Sequence, residues 1–231
     1  MEPKSPFEVK KVAKIVESKE VDNLVECIST LELSAKEIGQ GRNAVVYAAE
    51  GTVYENVCLK RIRNKPEVLA NTIDEEHKFQ IEAKNVGVRT PLSLVSLETQ
   101  NGIYLIMERV NGPTAAAVAS DPRLAPENFN YSEFCKALDA EIQKLHTAGI
   151  YHRDLHGGNV MIDANDGLPW IIDYGTAVHG TGGEMTYDEY ASVYDPVSGR
   201  YEQRQRFYRD DLESVRKIKA NLRVAEKRPI S

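Results

Sequence analysis

Apolar residues along the first thirty positions fall at Phe7, Val9, Val12, Ile15, Val16, Val21, Leu24, Val25 and Ile28. That spacing predicts helix over 6–30, with the interleaved charges as a solvated face. From Leu31 to Ile62 the texture changes to short β-like runs, AVVYAAEG and then TVYENVCLKRI. Helical periodicity returns over 67–86, with Val68, Leu69, Ile73, Phe79 and Ile81 as inward positions. The stretch LSLVSLETQNGIYLIMERV reads as a strand pair hinged at Asn101-Gly102, a strong hairpin signal. Residues 132–147 predict an amphipathic helix with Ser132 as N-cap and an end at Gly149. Two short strands follow, NVMID and LPWIID, separated by the turn 164–167. Residues 174–209 look irregular, and 210–224 predict a final helix. The amino-terminal half is therefore expected to be mostly sheet around one long helix, and the carboxyl half mostly helix, with the change near 109–113.

Composition narrows the classes without choosing among them. The chain has 231 residues, 42% hydrophobic and 28% charged, with a formal charge of −6. A chain of this size buries enough surface to need no disulfide or metal staple. Its purely apolar runs, such as IYLIM at 103–107, fall far short of the ~18 residues of a membrane span. The charged start MEPKSPFEVKK has no apolar core of a secretory leader, so a cytoplasmic location is expected. Cys27, Cys58 and Cys135 stand far apart, which suits buried thiols in a reducing compartment. The acidic balance argues against direct nucleic-acid binding.

Three stretches carry candidate chemistry. Gly39, Gly41, Ala44 and Val46 fall on a GxGxx(G/A)xV spacing between β-like runs. Glycines there either turn a hairpin or let backbone N–H groups approach phosphate oxygens. Lys60 sits in VCLKRI, where period 2 places it on one face with Cys58. It is either a solvated strand lysine or a lysine over phosphates, paired with a carboxylate of the next helix. HRDLHGGN at 152–159, followed by IIDYG at 171–175, brings Asp154, Asn159 and Asp173 into order. Such hard oxygen ligands suit Mg²⁺. Turn formation accounts for one of these residues but not for the set.

In that order of motifs the sequence resembles the protein-kinase superfamily, from about residue 33 to residue 215. The resemblance implies an α+β, two-lobed fold: an antiparallel sheet with one long helix, then a mostly helical, shortened carboxyl-terminal lobe. The expected divisions are a helical extension at 1–32, the first lobe at 33–110 and the second at 111–231. The resemblance makes ATP and Mg²⁺ the cofactors and a protein hydroxyl the acceptor, with Ser/Thr ahead of Tyr and autophosphorylation included. Lys60 would then hold the α/β-phosphates, Asp154 would orient the hydroxyl, and Asn159 and Asp173 would bind the metal. EHKFQIEAKNVGVRTP resembles a helix and turn of the small kinase in the tRNA-modifying KEOPS complex. That register favours Glu76 as the partner of Lys60, with Glu75 as the one-residue alternative. IYLIMERVNG resembles the kinase hinge, with Met107 as gatekeeper and Glu108 to Val110 as backbone contacts for adenine. The glycine loop (Gly39, Gly41, Ala44), Val46 and Cys58 would cover the nucleotide. RDDLES at 209–214 resembles the casein kinases, where Asp211 would accept hydrogen bonds from the catalytic-loop backbone; a plain helix cap is the other reading.

The chain also departs from the family. His156 stands where protein Ser/Thr kinases usually carry a lysine that contacts the transferred phosphate. DLHxGN also occurs in small-molecule and lipopolysaccharide-core kinases, so a small-molecule kinase or a tRNA-modification ATPase is the alternative. A non-catalytic nucleotide-binding module is the second. Arg153, by contrast, resembles kinases controlled by loop phosphorylation. The segment 174–209 lacks an APE and holds six of the chain's eleven tyrosines. These suit either a phosphoregulated loop or rings pinning an irregular segment. The short remainder after Asp211 raises two expectations: an activating protein partner, as for minimal kinases injected into a host cytosol, or packing of the amino-terminal segment 6–30 in place of what is missing.

Overall fold

The computed structural model describes residues 9–13, 36–41, 44–48, 55–63, 71–99, 102–180, 190–195, 200–205 and 210–226. The chain divides into two units, one of Met1–His77 with Leu92–Arg109 and one of Lys78–Pro91 with Val110–Ser231.

In the first unit, strands β1 (Val9–Ala13), β2 (Lys36–Gln40), β3 (Ala44–Ala48) and β4 (Val57–Ile62) precede helix α1 (Ile73–Asn85). Strands β5 (Ser93–Thr99) and β6 (Gly102–Glu108) complete one antiparallel sheet in the order β1-β5-β6-β4-β3-β2. Helix was expected over 6–30, but Val9–Ala13 is a strand paired to β5. Five residues with valines at both 9 and 12 do not separate a period of 3.6 from a period of 2, and β-branched side chains favour the strand. The remainder of 6–30 lies outside the described residues, as do Val68 and Leu69.

Residues opposed across an antiparallel ladder share a face. Ala44, Ile62 and Ile103 form one such row; Val46, Lys60 and Leu105 form the next, and Ala48, Cys58 and Met107 a third. Ile73 packs onto this face against Ala44, Ile62 and Leu105. The buried residues of α1 are Ile73, Glu76, His77, Gln80 and Ala83, whereas Phe79 and Ile81 are half-buried. Apolar periodicity missed this face because three of its members are polar and satisfied by partners. Glu76 meets Lys60, His77 Nδ1 lies 2.7 Å from Ser93 Oγ, and Gln80 donates to the Pro91 carbonyl.

The second unit is built on α2 (Ala115–Ser120), a 3-10 turn (Pro122–Leu124) and α3 (Tyr131–Thr147). Short strands follow: β7 (Ile150–Tyr151), β8 (Val160–Ile162), β9 (Pro169–Ile171) and β10 (Val178–His179). A β11 (Tyr190–Asp195) to β12 (Arg200–Gln205) hairpin and α4 (Asp211–Glu226) close the chain. The hairpin corrects the expectation of an irregular 174–209; Tyr190, Val193, Tyr194 and Tyr201 are good strand formers whose signal the glycines upstream obscured. Phe134, Leu138, Ile142 and Leu145 of α3 pack with Leu155, Val160, Ile162, Ile171 and Tyr174, and with Val215, Ile218 and Leu222 of α4. Each such fully buried side chain contributes about 1.5–3 kcal/mol. The cap of α3 is Asn130 rather than Ser132: its Oδ1 accepts the Glu133 N–H at 3.1 Å. Gly149, at φ 73°, ends the helix in the left-handed region that favours glycine. The antiparallel sheet and the start of α1 in one unit, with the rest of α1, further helices and small hairpins in the other, make an α+β protein.

Candidate functional site

Candidate residues of the first unit gather around Lys60. Its Nζ donates to Glu76 Oε1 at 2.6 Å, with the side chains 9% and 5% exposed. The pairing follows from the fold: Ile73 docks on the sheet face that carries Lys60, and Glu76 lies one helical turn farther along. Glu75 has a different task. It accepts the Thr72 backbone N–H at 2.7 Å while Thr72 Oγ1 accepts the Glu75 N–H at 3.3 Å, a reciprocal capping box. Val46 lies opposite Lys60, and Gly39 lies opposite Val46. A Cβ on Gly39 or Gly41 would meet nothing closer than 3.8 Å, and neither residue takes a positive φ. Among the described residues, packing does not require glycine at either position. Cys58 lies opposite Met107, and its Sγ reaches the Glu108 carbonyl at 3.6 Å. Burial pushes the Cys58 thiol up to about 12, so it is a packing group and not a nucleophile. Glu108 is anchored at both ends of the residue: its N–H donates to Leu92 O, and its Oε2 accepts the Leu92 N–H. Val110 falls in the second unit.

The second unit brings Asp154, Asn159 and Asp173 together through backbone contacts. Ile172 N donates to Asn159 O at 3.0 Å, which ties the loop to the residue before Asp173. Asn159 Nδ2 donates to Asp154 O at 3.0 Å, so its Oδ1 is the atom left to accept or coordinate. Among the described residues, the non-glycine residues with positive φ are Arg153 (67°) and Asp173 (70°). Strain of this kind persists only where the surroundings impose it, and it gathers at functional sites. The imposing group for the loop is Asp211, which accepts the N–H groups of His152 at 2.8 Å and Arg153 at 2.9 Å. The cap on α4 is its neighbour Asp210, whose Oδ1 accepts the Glu213 N–H.

Three participants, His146, Glu141 and Asp163, escaped the sequence reading. His146 Nε2 lies 3.1 Å from Asp211 Oδ2 and its ring stacks on Tyr151. Burial by itself would raise the Asp211 carboxyl, but bonds from His146 and from the two backbone N–H groups, with the nearby His152, hold it below the usual range. Glu141, buried on α3, accepts the Arg89 N–H at 2.8 Å. Asp163 accepts Trp170 Nε1 at 2.9 Å, and the cations of Lys84 and Arg89 stand over that indole. Glu141 and Asp163 fasten loops rather than meet a substrate. The available signal was the helical register, which puts Glu141 on the face of Leu138, Ile142 and Leu145.

Among the described residues no three His, Cys, Asp or Glu side chains form a metal-binding group. The oxygen donors of Asn159 and Asp173 fit a metal of the Mg²⁺ type, which takes one or two carboxylates and completes its shell with water and phosphate. No helix among the described residues is long and apolar enough to cross a membrane.

With sheet, ion pair and loop in this arrangement, the chain is a member of the protein kinase family: the model of the protein kinase domain matches residues 33–195. Relatives include the serine/threonine-protein kinase PknE of Mycobacterium bovis, 25% identical over 76% of this chain and 31% of that protein. Mitogen-activated protein kinase 14 of Arabidopsis thaliana is 29% identical over 72% of this chain and 45% of its own length. CBL-interacting protein kinase 2 of rice, Oryza sativa, is 31% identical over 61% of this chain and 31% of itself. The chain thus spans less than half the length of each of these relatives, and Asp211 lies beyond the matched segment.

Proposed function

We propose that the chain is an ATP- and Mg²⁺-dependent phosphotransferase that places the γ-phosphate on protein hydroxyls, Ser/Thr ahead of Tyr, its own included. The observation that carries this is the 152–159 loop, whose backbone is held by Asp211 and tied to the strand entering Asp173. Such pinning leaves Asp154 and the oxygens of Asn159 and Asp173 as the working atoms. Asp154 orients the acceptor hydroxyl and takes its proton as the oxygen attacks. Lys60, steadied by Glu76, neutralises phosphate charge, and the glycines admit the phosphates to backbone N–H groups. The metal, when bound, spreads the negative charge that develops on the transferred group. Asn159 and Asp173 would hold it.

The name of the relative PknE, a serine/threonine-protein kinase, favours a serine/threonine acceptor. The loop DLHGGN, with His156 in place of lysine, favours a second reading, a small-molecule kinase on the same fold. Incubation with γ-labelled ATP and Mg²⁺, followed by mass mapping of phosphorylated residues, separates the two. The account expects labelled Ser or Thr, and a loss of at least 100-fold in Asp154→Ala and in Asp173→Ala. Label in both variants at the wild-type rate would remove these residues from the chemistry. ATP turnover that labels a small acceptor and no protein would establish the second reading.

A further inference from the structure

Resting on the kinase reading, we propose that Gly157 is a positioning residue for Asn159, through which the segment leaving Val110 sets the metal side of the site. The basis is a ladder of backbone contacts that lies wholly in the second unit. Ala164 N donates to Asn111 O at 2.8 Å, and Ile162 N donates to Pro113 O at 2.8 Å. Thr114 bridges Met161 in the antiparallel sense, and Ala116 N donates to Gly157 O at 2.9 Å. Residues 111–116 therefore run against 157–164, from the residue after Val110 into the first turn of α2. Asn159 lies between two of these rungs, at Gly157 and at Met161.

Two glycines allow so close an approach. Gly112 has φ 143°, and a Cβ there would lie 1.9 Å from Ile162 O. Gly157 takes no positive φ, so its requirement is one of space. A Cβ on it would lie 3.0 Å from Ala116 N and 3.2 Å from Ala116 Cα and Cβ. These neighbours are backbone and a single methyl, with no flexible side chain to swing aside. They are fixed in turn by the cap of α2, where Thr114 Oγ1 accepts the Ala117 N–H at 3.1 Å, and by the burial of Ala115. Beyond Gly157 the chain turns at once, with Asn159 N donating to His156 O at 2.8 Å. Asn159 O accepts Ile172 N, and Asn159 Nδ2 donates to Asp154 O. The ladder thus fastens the turn that carries Asn159 to the chain that leaves the proposed adenine contact. A displaced Gly157 shifts the amide oxygen of Asn159 and leaves Val110 in place.

Gly112→Ala creates the deeper overlap and is expected to unfold the chain, so Gly157→Ala is the informative variant. Its binding of ADP and of adenosine is measured by calorimetry on the full chain, with and without Mg²⁺. The factor by which Mg²⁺ tightens ADP binding should fall about 10-fold, the scale of losing a contact that orients a metal ligand. Adenosine has no phosphate and needs no metal, and should bind as it does to the wild type. Asn159→Ala should lower the same factor, and Gly157→Ala should add little to it, because both act through one oxygen. Ala116→Gly removes the methyl from the overlap and should restore part of the factor to Gly157→Ala. Asn130→Ala, which strips the cap of α3, controls for lost stability: it should melt lower with the Mg²⁺ factor unchanged. A wild-type Mg²⁺ factor in Gly157→Ala overturns the proposal. So does an equal weakening of adenosine, or a full further loss when Gly157→Ala is added to Asn159→Ala. A wild type that binds neither adenosine nor Mg-ADP, and shows no Asp154-dependent transfer, removes the kinase reading and the role with it.

Discussion

Helices α1 and α4 both open on adjacent acids, and in both the two acids take different tasks. Glu75 and Asp210 satisfy N–H groups at the helix start, while Glu76 and Asp211 reach out of the helix. Neighbouring helical residues point about 100° apart, so when one caps, the next faces the interior. What they reach differs in kind. Glu76 holds a side chain, and Lys60 is itself the group that would touch phosphate. Asp211 holds a backbone, that of His152 and Arg153, and the next residue along is Asp154, the proposed base. An ion pair leaves its lysine able to adjust to a ligand, whereas two backbone hydrogen bonds impose a fixed, strained loop.

This contrast is open to measurement. Asp211→Ala should be the most damaging change, at about 3–5 kcal/mol in urea unfolding, because it strands buried donors and releases the strain at Arg153. The same carboxylate confers an acid sensitivity. Its pKa is depressed in the folded state, so its contribution is complete above the ordinary carboxylate value and is lost as pH falls through the depressed one. Asp211→Asn should flatten that part of the stability curve; an unchanged curve would mean that another group governs acid unfolding.

Glu76→Gln keeps a hydrogen bond to Lys60 but removes the counter-charge, and should cost about 1–3 kcal/mol. Its larger effect should be on nucleotide affinity. Equal destabilisation by Glu76→Gln and Asp211→Ala would erase the distinction between the two helix starts. The capping acids come last: Glu75→Ala and Asp210→Ala should each cost about 1 kcal/mol, with no effect on phosphate transfer.

Legibility in the sequence followed the kind of interaction. Sheet, α3 and the small β8–β9 hairpin could be read because their burial is apolar and periodic. The order of Gly39, Lys60, Asp154, Asn159 and Asp173 stood out because phosphate chemistry needs few residue types, and it led to the family that the domain match shows. The inner face of α1 was not, since Glu76, His77 and Gln80 are buried by partners that only the fold brings near. His146 and Glu141 were hidden for the same reason, one by its bond to Asp211, the other by a backbone N–H 52 positions away. Val9–Ala13 was misread as helix because five residues with valines at 9 and 12 fit either period, and pairing with β5 decides for the strand.

The most direct test of the account is the shift in melting temperature produced by Mg-ATP in the wild type, Lys60→Met and Asp154→Ala. With ligand near 100 times Kd, binding stabilises by about 2.7 kcal/mol, a rise of roughly 5–10 °C for a chain of this size. The account predicts that rise in the wild type and in Asp154→Ala, because Asp154 is proposed to act on the acceptor and not on ATP, and its near loss in Lys60→Met. No rise in the wild type, or an undiminished one in Lys60→Met, would contradict it.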